Sequence, residues 1–318
     1  MSDFPSFYDP NRIGSLFHPD VAAIAADAAA TGLAPASSDA QNVHLVIIDM
    51  QTDFCHPDGT LYVPGALDDI RRLIEFIYQH AAHITNITCS LDSHLPHQIF
   101  SPGWWVDANG KHPDPFTLIS YDDIKAGKWR ALIAPIWSVE YVKRLEQGAK
   151  KTLTIWPYHT MIGNIGHALD QELWSAVFWH AMARKTQPTW LTKGSVPQTE
   201  HYSIVQPEVM VPQHPLGGIN KAFLDTLDEA DIVLVAGEAE SHCVLESVAD
   251  IVEGFGNRPD ALSKIFFLSD CTSPVLHPDV DFHAIAQAEF VKFAQQGVNF
   301  VASTDKLPFL QGAVAKTN

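Results

Sequence analysis

"VAGEAESHCVLESVADIV", residues 235–252, is the stretch on which the reading of the chain turns. An apolar run closes at Ala236, a short polar break follows, and from residue 242 apolar residues recur at helical spacing. A strand, a break and a helix in that order form a βα unit, the element from which parallel sheets are assembled. Cys243, the only cysteine in the stretch, falls where the helix begins. It is either a small buried filler or a sulfur placed to attack a substrate.

The same alternation runs through the rest of the chain. Apolar strand candidates lie at 43–49, 84–90, 151–156, 188–192, 231–236, 264–269 and 298–302, with helix-period segments near 66–82, 138–149, 166–184, 219–228, 242–254 and 280–296. Continuous apolar strands separated by helices require a sheet covered on both faces. The expected fold is therefore α/β: a three-layer, doubly wound sheet, mainly parallel, of about six strands. Residues 1–40 read as an N-terminal arm, 41–304 as one domain and 305–318 as a C-terminal tail. The Pro-, Gly- and Trp-rich segment 101–137 fits no βα unit and reads as an insertion, either a lid or an interface excursion.

Composition narrows the class. Of 318 residues 46% are apolar and 18% charged, so a packed globular core is expected. A formal charge of −17 argues against nucleic acid or an anionic membrane as partner, because both select basic surfaces. The N-terminus lacks the pattern of a signal peptide, and the apolar run 173–183 is too short to span a bilayer. Cys55, Cys89, Cys243 and Cys271 have no paired spacing, which favours free thiols and a cytoplasmic location. Helix 166–184 is apolar on nearly every side (Leu173, Trp174, Val177, Phe178, Trp179, Met182), so it is either deeply buried or pressed against a second copy in a homo-oligomer.

Ligands of open α/β sheets bind beyond the carboxyl ends of the strands. Asp49, Asp92, His94, His159, Lys193 and Cys243 all fall there, each just after or at the end of a different apolar run or beside one that does. A thiol at a helix N-terminus is expected to have its pKa lowered toward neutrality. A neighbouring carboxylate can take the thiol proton, and a lysine can hold that carboxylate ionised. Backbone N–H groups of the turn at Ala239 and Cys243 would face an oxyanion. Such a set suits acyl transfer from a small amide.

These motifs resemble the isochorismatase-like cysteine hydrolases, and among them the nicotinamidases most closely. The carriers are "VHLVIIDMQTDF" (43–54), "TKG" after the fourth strand, "GEAESHCV" (237–244) and "SDCTSP" (269–274), spread over residues 43–302. The resemblance implies Asp49 as proton shuttle, Lys193 as its charge partner, Cys243 as nucleophile, and a cis peptide between Glu238 and Ala239 that aims two amides at the oxyanion. It also implies a divalent metal, zinc first and iron or manganese next, held by Asp92, His94 and the His159 of W-P-x-H. Phe54, Trp156 and Tyr202 would form the walls around the substrate ring. Thr160 stands where many nicotinamidases have cysteine, His97 follows D-x-H too closely to count as a ligand, and segments 101–137 and 194–230 rebuild the pocket surroundings. The expected activity is hydrolysis of a nicotinamide-like amide to acid and ammonia through a thioester. Three other readings stand beside it: a superfamily member acting on an N-carbamoyl compound or an isochorismate-like vinyl ether, a hydrolase in which metal-activated water attacks and Cys243 is structural, and a catalytically silent binding protein.

Overall fold

The structure is a computed structural model, and it describes residues 4–149, 151–256, 258–276 and 280–310. Residues 1–3 of the arm and 311–318 of the tail lie outside the described residues. Six strands form the main sheet: β1 Val43–Ile48, β2 Asn86–Asp92, β3 Thr189–Lys193, β4 Ile232–Gly237, β5 Ile265–Leu268 and β6 Asn299–Val301. All neighbours pair in parallel, in the order β6-β5-β4-β1-β2-β3. The strand order reverses at β1, which puts the crevice between β1 and β4 at the topological switch point.

The two central strands show why the sheet is buried on both sides. Val43, Leu45 and Ile47 of β1, with Ile232, Leu234 and Ala236 of β4, point into one core. Val46 and Ile48, with Val233 and Val235, point into the other. This is the two-residue alternation of a strand with both faces made apolar. Helices α1 Val21–Ala30, α2 Ala66–His80 and α4 Gln171–Arg184 contribute to the first core. Helices α5 Lys221–Glu229, α6 Leu245–Phe255 and α7 Phe282–Gln296 contribute to the second.

The N-terminal arm answers the question posed by the all-apolar helix. Within α4, Leu173, Val177 and Trp179 are buried, leaving Trp174 and Phe178 half-buried and Met182 exposed. The arm supplies much of the cover: Trp179 Nε1 donates to Asp27 Oδ1 at 2.7 Å, and Arg184 binds Ala34 O and the Asp39 carboxylate. Tyr8, Phe7 and Trp179 pack edge-on against Tyr78. Part of this apolar face is thus covered by the chain itself.

The expected strand 151–156 is not in the main sheet. Only Leu153–Thr154 is extended, and it pairs antiparallel with Leu118–Ile119. A second ribbon joins Trp105–Val106 to Arg130–Ala131. Together with helix α3 Pro135–Arg144 these ribbons enclose a third core, in which Trp104, Trp105, Tyr141 and Ile155 are almost fully buried. Two of the indole N–H groups are bonded within it, Trp104 to Ser138 Oγ at 2.9 Å and Trp137 to Gln198 O at 2.8 Å, while the buried Trp129 Nε1 has no partner among the described residues. The segment 101–137 is part of a packed wall beside the sheet. Among the described residues no helix is long and apolar enough to cross a membrane, and all four cysteines are free and buried.

Two histidines of regular elements, His44 of β1 and His180 of α4, are buried. His44 bonds Thr88 Oγ1 through Nε2 at 2.7 Å, and His180 bonds Ile84 O at 2.9 Å. Burial lowers both pKa values to about 4. The unfolded chain takes up these protons near the ordinary histidine value while the folded chain refuses them. Each therefore withdraws stability as pH falls from about 6.5 to about 4, by up to about 1.4 kcal/mol per pH unit. Denaturant unfolding at pH 7 and pH 5 should show His44→Gln with a smaller acid-induced loss than the wild type; equal losses would contradict this account.

Candidate active site

The carboxyl ends of β1, β2, β3 and β4 converge on one buried point. Asp49 follows β1 with a left-handed φ of 49° and is fully buried. That conformation is unusual for a residue with a Cβ, although aspartate tolerates it better than most. Asp92 ends β2 and Lys193 ends β3. Cys243 sits in the π-helical turn Glu240–Val244 that leads from β4 into α6. A cis peptide joins Glu238 and Ala239 at the start of that turn.

Lys193 is the hub. Its Nζ lies 2.8 Å from Asp49 Oδ2 and 3.0 Å from Asp92 Oδ1. The same ammonium donates to His201 O at 3.0 Å and reaches Cys243 Sγ at 3.5 Å. Burial alone would lower its pKa, but Asp49 and Asp92 outweigh that and hold it well above the ordinary lysine value. Asp49 Oδ1 accepts from Ser90 Oγ at 2.6 Å. Its other oxygen, Oδ2, faces the Lys193 ammonium.

The thiol does not have the lowered pKa expected of a helix N-terminus. Burial raises it well above the ordinary cysteine value, and the nearby Lys193 only partly opposes this. Removing water disfavours the thiolate more than one ammonium favours it, because two carboxylates share that ammonium. Burial likewise raises the proton affinity of Asp49.

Asp92, His94 and His159 form a second cluster, their candidate ligand atoms all within 4.8 Å of one another. His94 Nε2 lies 2.8 Å from Asp92 Oδ2, and His159 Nε2 lies 3.5 Å from it. Each ring turns its other nitrogen to a backbone carbonyl: His94 Nδ1 to Gly194 O at 3.1 Å, His159 Nδ1 to Pro157 O at 2.7 Å. Those contacts orient both Nε2 atoms inward, the second shell that metal-ligating histidines need. His94 Nε2 is buried without a hydrogen bond, and Asp49, Asp92 and Lys193 together leave one surplus negative charge. Two buried imidazoles and a carboxylate in such a setting could hold a divalent metal.

Local features explain the placement. His159 comes from an irregular loop that a parallel bridge between His94 and Met161 pins to the end of β2. Gln51 fastens the loops together, accepting from Asp92 N at 2.7 Å and donating to Asp92 O at 2.8 Å and His167 O at 2.9 Å. Asp53 accepts from Thr160 N at 2.6 Å. His97 is exposed, outside the metal cluster.

Phe54, Trp156, Tyr202, Ala239 and Cys243 line one small cavity of ≈30 Å³, together with Asp92 and His159. The Trp156 indole donates to Tyr202 Oη at 2.9 Å. Sequence reasoning missed Leu61, Glu200, His242 and Val275, which line the same cavity. The position of His242, immediately before the cysteine, was a usable signal; Glu200 and Leu61 carried none, since loop closure alone brings them in.

Gly194 tests the cluster. Its φ is +80°, and an added Cβ would stand 2.6 Å from Asp92 Oδ1 and 2.7 Å from His94 Cε1. Gly110 has φ +84° and open space around it. After dialysis against zinc, Gly194→Ala is expected to bind metal at least about tenfold more weakly than wild type, while Gly110→Ala retains it. Equal metal content in both variants would show that Asp92 and His94 do not hold the ion.

No protein-family model matches the sequence, and no curated protein matches it. Solved structures do. A nicotinamidase/pyrazinamidase of Acinetobacter baumanii is 20% identical with a TM-score of 0.55, over 84% of this chain and 99% of that one. The yeast nicotinamidase bound to the inhibitor nicotinaldehyde is 17% identical with a TM-score of 0.55, over 82% and 99%. A structure from L. infantum in complex with nicotinate is 19% identical with a TM-score of 0.50, over 84% and 95%. At such identities the likeness speaks for the backbone, and with the six-stranded parallel sheet it establishes that this chain has the isochorismatase-like hydrolase fold.

Proposed function

We propose that the protein is a cysteine amidohydrolase that splits a small amide into acid and ammonia. The observation that carries this reading is the position of Lys193 Nζ, within 2.8 Å of Asp49 Oδ2 and 3.5 Å of Cys243 Sγ in a cavity lined by aromatic residues. The nicotinamidase structures of the same fold support the choice of substrate class.

The residues divide the work as follows. The substrate ring packs between Phe54 and Trp156, which presents the amide carbonyl to Cys243. Because the resting thiol is protonated, attack and deprotonation proceed together: as sulfur bonds to the carbonyl carbon, its proton passes to Asp49 Oδ2. Burial raises the proton affinity of carboxylate and thiol alike, so neither charge forms ahead of the transfer. Lys193 stays charged throughout and offsets the negative charge that moves between sulfur and carboxylate. Backbone amides at Ala239 and Cys243 stabilise the oxyanion. Collapse of the tetrahedral adduct breaks the C–N bond, and Asp49 returns the proton to the leaving amine. Water then hydrolyses the thioester, with Asp49 again as base. Asp92, His94 and His159 would hold a metal, which would supply Lewis acidity toward a substrate heteroatom.

Two substitutions separate this reading from one in which the sulfur is structural. Cys243→Ala and Asp49→Asn, each in metal-replete protein, should lower ammonia release from nicotinamide or a related amide by about 10³-fold or more. Retention of most activity in Cys243→Ala would assign the chemistry to other groups.

A further inference from the structure

The turn that carries Cys243 is held from outside the active site. Glu240, its first residue, is buried, and its carboxylate is bonded to helix α7 instead of to the cluster around Lys193. Oε2 accepts from His283 Nδ1 at 2.7 Å and Oε1 from Gln287 Nε2 at 2.6 Å. His283 and Gln287 stand one helical turn apart on α7, so they meet the two oxygens of a single carboxylate. Both donors are exposed residues, whereas the group they hold is not.

The neighbouring residues of the turn rest on the same side. Glu240 N donates to Ser273 O at 2.8 Å, Ser241 Oγ accepts from Val275 N at 3.1 Å, and the His242 ring lies edge-on to Phe282 at 4.8 Å. Phe282 and Ile285 of α7 also line a second cavity, which shares Trp156, Tyr202 and His242 with the one at Cys243. The core contacts of α7 come from Ala286, Phe290 and Phe293, and His283 and Gln287 lie outside that core. A carboxylate stripped of both donors would be left desolvated without compensation, and the turn would shift to rehydrate it. Cys243 Sγ stands 3.5 Å from Lys193 Nζ. A misplacement of about 1 Å at a reacting atom costs on the order of 10²-fold in rate.

We propose that Glu240 is a positioning residue, which with His283 and Gln287 fixes the nucleophile turn in the geometry where Cys243 meets Lys193 and Asp49. This rests on the amidohydrolase reading above and adds to it a latch worked from the surface of α7. Neither Glu240 nor its two donors line the cavity at Cys243, so they act through the turn alone. Release of the latch loosens the turn toward water. The sulfur then loses its aligned partners, which slows turnover, and gains hydration, which favours the thiolate and its reaction with an external electrophile.

Turnover and thiol reactivity should therefore move in opposite directions. Two quantities are measured on the metal-replete full chain: ammonia release from nicotinamide, and alkylation of each cysteine by iodoacetamide, read by mass spectrometry. The proteins are wild type, Glu240→Ala, Glu240→Gln and the surface pair His283→Ala with Gln287→Ala. Glu240→Ala and the surface pair should each lower kcat by about 30-fold or more and leave KM within about threefold. Each should raise the alkylation rate of Cys243 about tenfold, while Cys55, Cys89 and Cys271 stay protected. Glu240→Gln, which can still bond both partners, should keep kcat within about fivefold of wild type. Adding Glu240→Ala to the surface pair should cost no more than about twofold further, since all three residues act through one contact. Unchanged kcat and alkylation in the surface pair would overturn the proposal and leave the hydrolase reading standing. So would labelling of all four cysteines, the mark of general loosening. No ammonia from wild type, with selective labelling of Cys243 in the variants, would overturn the hydrolase reading for nicotinamide and leave the latch standing. No ammonia and no change in labelling would overturn both.

Discussion

An ammonium held in the dry centre of the molecule sets the terms for everything around it. Lys193 reaches a carboxylate on either side, a backbone carbonyl and the thiol sulfur. A charge so placed is tolerated only when its partners are equally fixed, because the desolvation penalty is several kcal/mol per ion. The main sheet provides that rigidity. Asp49, Asp92 and Lys193 stand at the ends of three adjacent strands whose pairing leaves little freedom for relative movement.

The same dryness decides how the sulfur can react. A helix start beside a cation is usually a reason to expect a thiolate, and here desolvation outweighs it. Burial raises the proton affinity of Asp49 as well, so thiol and carboxylate share one water-poor pocket that disfavours the charged form of each. The surplus negative charge of two carboxylates over one lysine also gives the adjoining histidine–aspartate group an electrostatic reason to take up a cation.

A second structural layer surrounds this centre without changing its chemistry. The ribbons and helix of the insertion enclose their own tryptophan-rich core and present Phe116, Leu118 and Trp156 toward the cavities. On the opposite side of the sheet the N-terminal arm covers α4 through Trp179 and Arg184. One addition borders the site, and the other covers the layer behind it.

Six of the seven expected strands form the sheet, and the rim residues Asp49, Asp92, Lys193 and Cys243 were legible for a simple reason. Each belongs to a strand end, and strand ends announce themselves by local apolar runs that stop. Even His159, attributed to a strand that the structure places outside the sheet, reaches the rim, because its loop is pinned to β2 by His94 and Met161. Burial was the part that local pattern could not reach: the sequence places a cysteine at a helix start, but only tertiary packing determines how much water remains there and hence which way its pKa moves. Glu200 and Leu61 entered the cavity for the same reason. Chain order specified by itself which residues lie at the strand ends; their distances, their shared desolvation and the second cavity were decided by how distant segments pack, since solvent exclusion is a property of the assembled layers and of no single stretch.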